Sequence, residues 1–302
     1  MEKNEIDSYV KAGKIASEIK SFARDLIKPG MLLIDIADAI DDKISELGGE
    51  PAFPVNLSLN EIAAHYTPAP GDETKAEGIL KIDLGVAVDG FIADTAFSMD
   101  LTKDSKYKEM MELNEKMLAE ATKVIKPDFE IRDIGDATCD TLEAWNEENG
   151  SSFSIIKSLS GHGLAKGNIH AGLTISNYRN DNKNKIIDGG FAVEPFVTTG
   201  VGDIYEGPTG GIYVVQSDDQ VRDRDARALL NYIKETFGTL PFCERWIDSG
   251  EFKKIKFSLS TMVRQGILHH YPQLIEKSKK PVSQFENTFV ISDGKVICTT
   301  EE

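Results

Sequence analysis

Along the first fifty positions apolar residues recur with a helical period. Ile6, Tyr9, Val10, Gly13, Ala16, Ile19, Ala23, Leu26 and Ile27 share one face of a helix predicted over residues 5–27, stopped by Pro29-Gly30. Residues 34–47 repeat the pattern through Ile36, Ala37, Ile40, Ile44 and Leu47 and close at Gly48-Gly49. Two further amphipathic helices are predicted, from about Lys106 to Lys126 and from about Ile131 to Glu148. Between these pairs, "KIDLGVAVDGFIADTAFS" at 81–98 reads as two strands joined by a tight turn. After residue 151 the texture changes: "FSIIKSLSGHG", "GGFAVEPFVTTG" and "IYVVQS" predict short strands between glycine-rich turns. Helical spacing returns at Ala226, Leu229, Leu230, Ile233 and Phe237, and a helix-rich patch is expected to continue to about residue 275. "QFENTFVISDGKVICTT" predicts a closing hairpin turned at Ser292-Asp293-Gly294. The pattern is that of an α+β fold: two helix pairs, strands in hairpins, and a helical segment interrupting the second half.

Composition narrows the picture. The 302 residues are 40% hydrophobic, enough for one large domain or two modest ones, and the 28% charged residues are interspersed rather than blocked. No uncharged apolar run reaches the length of a spanning helix, and the charged, periodic start lacks the apolar stretch of a signal peptide. Cys139, Cys243 and Cys298 are far apart and lack metal-type spacing, which fits reduced thiols in a cytoplasmic protein. A net charge of −16 argues against general nucleic-acid or anionic-membrane binding.

The hairpin at 81–98 carries a contradiction, because Asp83 and Asp94 sit within strands that are otherwise apolar or small. An unpaired buried carboxylate is expensive. With Asp89-Gly90 as a two-residue turn, Asp83 pairs with Ala96 and lies diagonal to Asp94; a turn shifted by one place would pair the aspartates directly. Either register puts both carboxylates on one face, about 5 to 8 Å apart at Cβ. That face is otherwise Gly, Ala and Ser, while Ile82, Leu84, Val86 and Val88 fill the other. Two like charges so placed call for a cation. Other groups available to the same site are His162 in "LSGHGLAKGNIH", His170 at its end, Glu194 in "FAVEPFV", Glu286 in "QFENTFVI" and His65 in "AAHYTPAPGD". His269 and His270 fall in the helical segment, where a solvated face is expected. Four carboxylates and one neutral imidazole balance two divalent cations, and oxygen-rich ligation with one nitrogen suits Mn²⁺, Fe²⁺ or Co²⁺. The chemistry this implies is two-metal hydrolysis.

The set "AAHYTP", "KIDLG…DTAF", "SGHG…IHAG", "AVEPF" and "QFENT" resembles the methionine aminopeptidases, specifically the type 2 class in an archaeal form, from about residue 5 to the C-terminus. The resemblance implies a pita-bread α+β fold of two pseudo-symmetric halves, residues 1–302 forming one catalytic domain. It also implies a helical, winged-helix-like insertion over residues 213–273. The long charged N-terminal extension of eukaryotic type 2 members is not found here. By resemblance Asp83 chelates one ion, Asp94 and Glu286 bridge two, and His162 and Glu194 bind the second, with Glu194 also shuttling a proton. His65 and His170 would hydrogen-bond the scissile amide and its tetrahedral intermediate, and Phe53, Ile169 and Tyr271 would line the methionine pocket. The implied cofactors are two divalent ions among Co, Mn, Fe, Zn and Ni. The implied activity is removal of initiator methionine from nascent polypeptides whose second residue is small. One departure is Ile212-Tyr213, where eukaryotic members carry His-Tyr.

Rival readings are another pita-bread hydrolase, such as a proline-directed aminopeptidase, and a non-catalytic binding protein on the same fold. The expected partners are nascent chain N-termini and, through the basic stretch at 226–280, the ribosome, with no membrane or sequence-specific nucleic acid and a monomeric state. That stretch holds ten Lys/Arg against five acids.

Overall fold

In the computed structural model, which describes residues 1–301, the four helices of the two pairs form close to their expected bounds. They are α1 (Lys3–Leu26), α2 (Leu33–Glu46), α3 (Lys108–Val124) and α4 (Ile131–Asn149). A capping box between Glu2 and Glu5 opens α1, and Gly150, in the left-handed region at φ 64°, closes α4. Between the pairs lie β1 (Glu50–Leu59), β2 (Ile62–Ala64), β3 (Ile79–Val88) and β4 (Phe91–Asp100). Asp89 and Gly90 have φ of 53° and 81°, the two positive values a type I′ turn requires, so β3 and β4 pair with Val88 opposite Phe91. Antiparallel pairing in the order β1-β3-β4 turns Ile82, Leu84, Val86 and Val88 toward the helices, in one core with Ala12, Ile19, Ile36 and Ile40. Each such aliphatic side chain contributes about 1.5–3 kcal/mol when removed from water.

The second half supplies β5 (Ser154–Ile155), β6 (Ser160–Leu164), β7 (Thr174–Ser176), β8 (Gly189–Val193), β9 (Phe196–Thr198) and β10 (Ile204–Val215). There follow α5 (Arg224–Thr236), β11 (Phe242–Cys243), α6 (Ile255–Arg264), β12 (Leu268–Glu276), β13 (Val282–Gln284), β14 (Asn287–Ser292) and β15 (Lys295–Cys298). Three further sheets run β11-β10-β12-β2, β13-β9-β5 and β15-β14-β8-β6-β7. A helix pair followed by antiparallel strands thus occurs twice in the chain.

The helical patch expected to reach residue 275 ends at Arg264; residues 268–276 form a strand instead. Pro272 removes a donor that a helix interior needs, and β10 offers β12 a long antiparallel partner. His269 and His270 therefore lie on a strand. His269 is exposed as expected, but His270 is half-buried, stacked on Tyr213 at 4.0 Å and accepting the Gly211 N–H at 3.2 Å. The segment between β10 and β12 has its own apolar core, in which Leu229, Leu230 and Ile233 of α5 meet Leu259 and Met262 of α6 and Phe242 of β11.

The two halves meet along a seam. Ala96 of β4 forms an isolated antiparallel bridge to Glu286, whose N–H donates to the Ala96 carbonyl at 2.9 Å. Thr95 Oγ1 donates to the Glu286 carbonyl at 2.7 Å, while Thr288 Oγ1 accepts the Asp94 N–H and donates to the Asp94 carbonyl. Cys139, Cys243 and Cys298 are free thiols. Among the described residues no helix is long and apolar enough to cross a membrane.

Candidate metal centre

Register decides where the first two carboxylates point. Asp83 faces Ala96 and Asp94 faces Gly85, so both lie on the β3–β4 face turned away from α1 and α2. The seam then brings Glu286 to the same place from the other half. His162 is carried by β6 between two glycines; a Cβ at Gly161 would stand 2.2 Å from the Ala192 carbonyl oxygen, so only glycine lets β6 approach β8 this closely. Glu194 follows directly on β8. His162 Nε2 lies 3.6 Å from both Asp94 Oδ2 and Glu194 Oε1, and ligand atoms of Asp94, His162 and Glu286 all fall within 4.8 Å of one another. The Gln284 amide spans the remaining two carboxylates, donating to Asp83 Oδ2 at 3.3 Å and Glu194 Oε2 at 3.5 Å.

Electrostatics follow from burial. Asp83 is pushed up to about 7 by desolvation, which the Gln284 amide opposes. Burial raises Asp94 well above the usual carboxylate range, and the charge of Asp83 adds to it. Glu194 and Glu286 rise for the same two reasons, burial first and neighbouring carboxylates second. Asp83 Oδ1, Asp94 Oδ1 and Glu286 Oε1 are buried without a hydrogen-bond partner. Burial, aided by His170, lowers His162 to about 3, so its imidazole is neutral, the form that ligates metal. Four clustered carboxylates, three of them with an orphaned oxygen, and one neutral imidazole fit divalent cations, whose charge would hold all four ionised.

Above these groups opens a cavity of about 410 Å³, whose lining includes all five together with His65, His170, Phe53, Ile169 and Tyr271. Phe53 lies over Gly85, where a Cβ would come within 2.3 Å of its ring. His65 and Tyr271 meet edge to face at 5.3 Å, and His162 and His170 at 4.6 Å. Burial and the neighbouring His170 lower His65 to about 4, and burial lowers His170. His65 has φ 66°, a left-handed backbone that costs a residue with a side chain about 1–3 kcal/mol. Its N–H donates to Asn56 Oδ1 at 2.8 Å. Ile212, Pro241 and Leu274 complete an apolar wall, so the Ile212 departure lies on the cavity itself.

The profile of metallopeptidase family M24 matches residues 7–226. The chain is 42% identical to a methionine aminopeptidase of Pyrococcus horikoshii, over 98% of this chain and 100% of that one. The chain belongs to metallopeptidase family M24, among the methionine aminopeptidases. A Candida albicans methionine aminopeptidase 2 is 34% identical over 97% of this M24 chain and 69% of its own length. The pita-bread fold recurs in a Rickettsia prowazekii methionine aminopeptidase structure (TM-score 0.68, 20% identity, covering 100% of this chain and 98% of that one). It recurs also in a thermophilic Arx1 (TM-score 0.82, 16% identity, 99% and 91%).

Two polar groups of this M24 site carry no role in the sequence analysis. Gln284 stands within the quoted "QFENT", and its place two residues before Glu286 was the available signal. Asn56 lies in a strand whose two prolines hide it.

Proposed function

We propose that this methionine aminopeptidase removes initiator methionine from nascent polypeptides with a small second residue, with Asp83, Asp94, His162, Glu194 and Glu286 holding two divalent ions. The observation that carries the reading is the orphaned carboxylate cluster on the floor of a cavity with an apolar wall. Ions bound there supply Lewis-acid polarisation of a carbonyl and acidification of water. The protein's own residues do the rest. Phe53, Ile169 and Tyr271 accept an unbranched thioether side chain, which fills irregular apolar space well. His65 and His170 face the scissile amide as neutral donors and stabilise charge that develops only in the transition state. Glu194, ionised beside the ions, is the group we propose to take a proton from the attacking water and return it to the leaving amine.

The self-contained core between β10 and β12 supports reading this segment as the type 2 insertion. The basic excess of residues 226–280 is partly offset by acids outside that stretch: Lys234 pairs with Asp218, Lys254 with Asp225 and Lys277 with Asp203, while Arg245 is buried. We propose that the exposed lysines of this stretch, Lys253 and Lys256 by α6 and Lys279 and Lys280 after β12, are what approaches the ribosome, in the cytoplasm. Salt-dependent co-sedimentation tests that approach, and its absence discards it. The peptidase reading is tested by metal content of protein purified without added metal, read beside turnover of a Met-Ala peptide. Preferred turnover of Xaa-Pro peptides would move the chain to the prolidase branch of the fold.

A further inference from the structure

Among its contacts with the body of the enzyme, the insertion touches two loops that each carry one cavity histidine. Thr239 Oγ1 donates to the Gly167 carbonyl at 2.5 Å, three residues before His170. On the other side Arg245 reaches across to the segment that follows His65. Its Nε donates to the Pro68 carbonyl at 3.0 Å and Nη2 to Thr67 Oγ1 at 3.5 Å. Nη1 donates to Asp38 Oδ1 at 2.6 Å and Asp41 Oδ2 at 3.0 Å on α2, and Trp246 Nε1 donates to the same Asp41 oxygen at 2.7 Å. The arginine side chain is only 4% exposed. A guanidinium so held is rigid, because its planar fork meets acceptors on three sides.

What this grip acts on is the strained residue of the site. A left-handed backbone at a residue other than glycine persists only where its surroundings over-determine it. At His65 itself the contact is Asn56; after it come the Leu57 N–H to Tyr66 carbonyl bond at 2.7 Å, the Thr67 N–H to Gly210 carbonyl bond at 2.8 Å and, one step further along, Arg245. Gly210 presses so near that a Cβ there would stand 1.7 Å from the His65 carbonyl oxygen.

We propose that Arg245 is a positioning residue for the reaction: from within the insertion it anchors Thr67-Pro68 to α2 and so fixes the imidazole of His65 at the cavity wall. This rests on the peptidase reading, since it gives His65 a role in turnover. Arg245 neither touches the carboxylate cluster nor lines the cavity, so its removal leaves metal content intact.

The test is a double-mutant cycle in metal-loaded full-length protein, with Met-Ala-containing peptide as substrate. Arg245→Ala is expected to lower kcat about tenfold with KM within about twofold, because the lost contact serves the transition state rather than ground-state binding. In a His65→Ala background the same change should cost less than about twofold, whereas in a His170→Ala background it should keep its full effect. Arg245→Lys retains a cation beside Asp41 but lacks the Nε donor; it should show a smaller loss with the same dependence on His65, and it serves as the cycle's variant if Arg245→Ala does not fold. Losses that multiply in full with His65→Ala, or a fall in bound metal, overturn the assignment to Arg245. Wild-type protein that holds metal yet does not turn over the peptide overturns the peptidase reading and this inference with it.

Discussion

Replacing Asp83 with Asn separates what this carboxylate costs the fold from what it gives the site. In the metal-free protein burial lifts Asp83 to about 7 from an ordinary value near 3.8. A folded-state value raised above the unfolded one means that folding favours the protonated carboxyl. The wild-type chain therefore loses stability as pH rises from about 4 and stops losing it above about 7. A displacement of that size is worth about 4 kcal/mol at 1.36 kcal/mol per pH unit. Asn is neutral throughout and can still accept the Gln284 amide hydrogen bond that Asp83 now accepts. Asp83→Asn should thus stabilise chelated protein by about 1.5 kcal/mol at pH 5 and about 4 kcal/mol at pH 8. The paired comparison cancels the histidines, which are the same in both proteins, but not Asp94, Glu194 and Glu286; these lose the repulsion of Asp83 in the variant and add to its gain at high pH. Urea unfolding in the presence of a chelator measures the difference at each pH. With Mn²⁺ added at pH 8 the order reverses, because only the wild type gains the full binding energy of the ion. A gain that is equal at both pH values, or a wild type more stable than the variant at pH 8 under chelation, would refute the reasoning.

Three other outcomes follow from particular contacts. His170→Ala should lower kcat about 100-fold while elemental analysis finds bound metal unchanged, since the group is assigned to charge stabilisation rather than ligation. Gly85→Ala drives a methyl into the Phe53 ring and should raise KM for methionyl peptides severalfold at a stability cost of about 1–3 kcal/mol, read by kinetics and denaturation. Leu229→Ala opens a cavity in the insertion's own core and should cost about 3 kcal/mol there, with limited proteolysis cutting first between β10 and β12.

Legibility from sequence tracked how locally each feature is determined. The shared face of Asp83 and Asp94 was readable because either register of a turn at Asp89-Gly90 gives it; the structure selects the two-residue turn, with Asp83 opposite Ala96. The four helices of the pairs were readable from one apolar stripe each. β1 was not, because Pro51 and Pro54 argue against a strand; it survives as the edge of its sheet, with register shifts at Pro51/Phe53 and Phe53/Asn56. β12 was misassigned as helical, since its pairing with β10 spans more than fifty residues and leaves little alternation behind. The resemblance supplied the ligand set, which spacing alone could only offer as a pool of acids and histidines. The Arg245 contacts were invisible for a related reason: Asp38 and Asp41 look like an ordinary solvated helix face until a side chain two hundred positions away arrives on them.

The seam between the halves has a mechanical consequence. Glu286 itself forms the isolated backbone bridge to Ala96 of β4, two residues from Asp94, with Thr95 and Thr288 pinned across it. Two of the clustered carboxylates thus come from different halves of the chain yet are set by one joint, so a substitution that loosens Thr95 or Thr288 would displace both together.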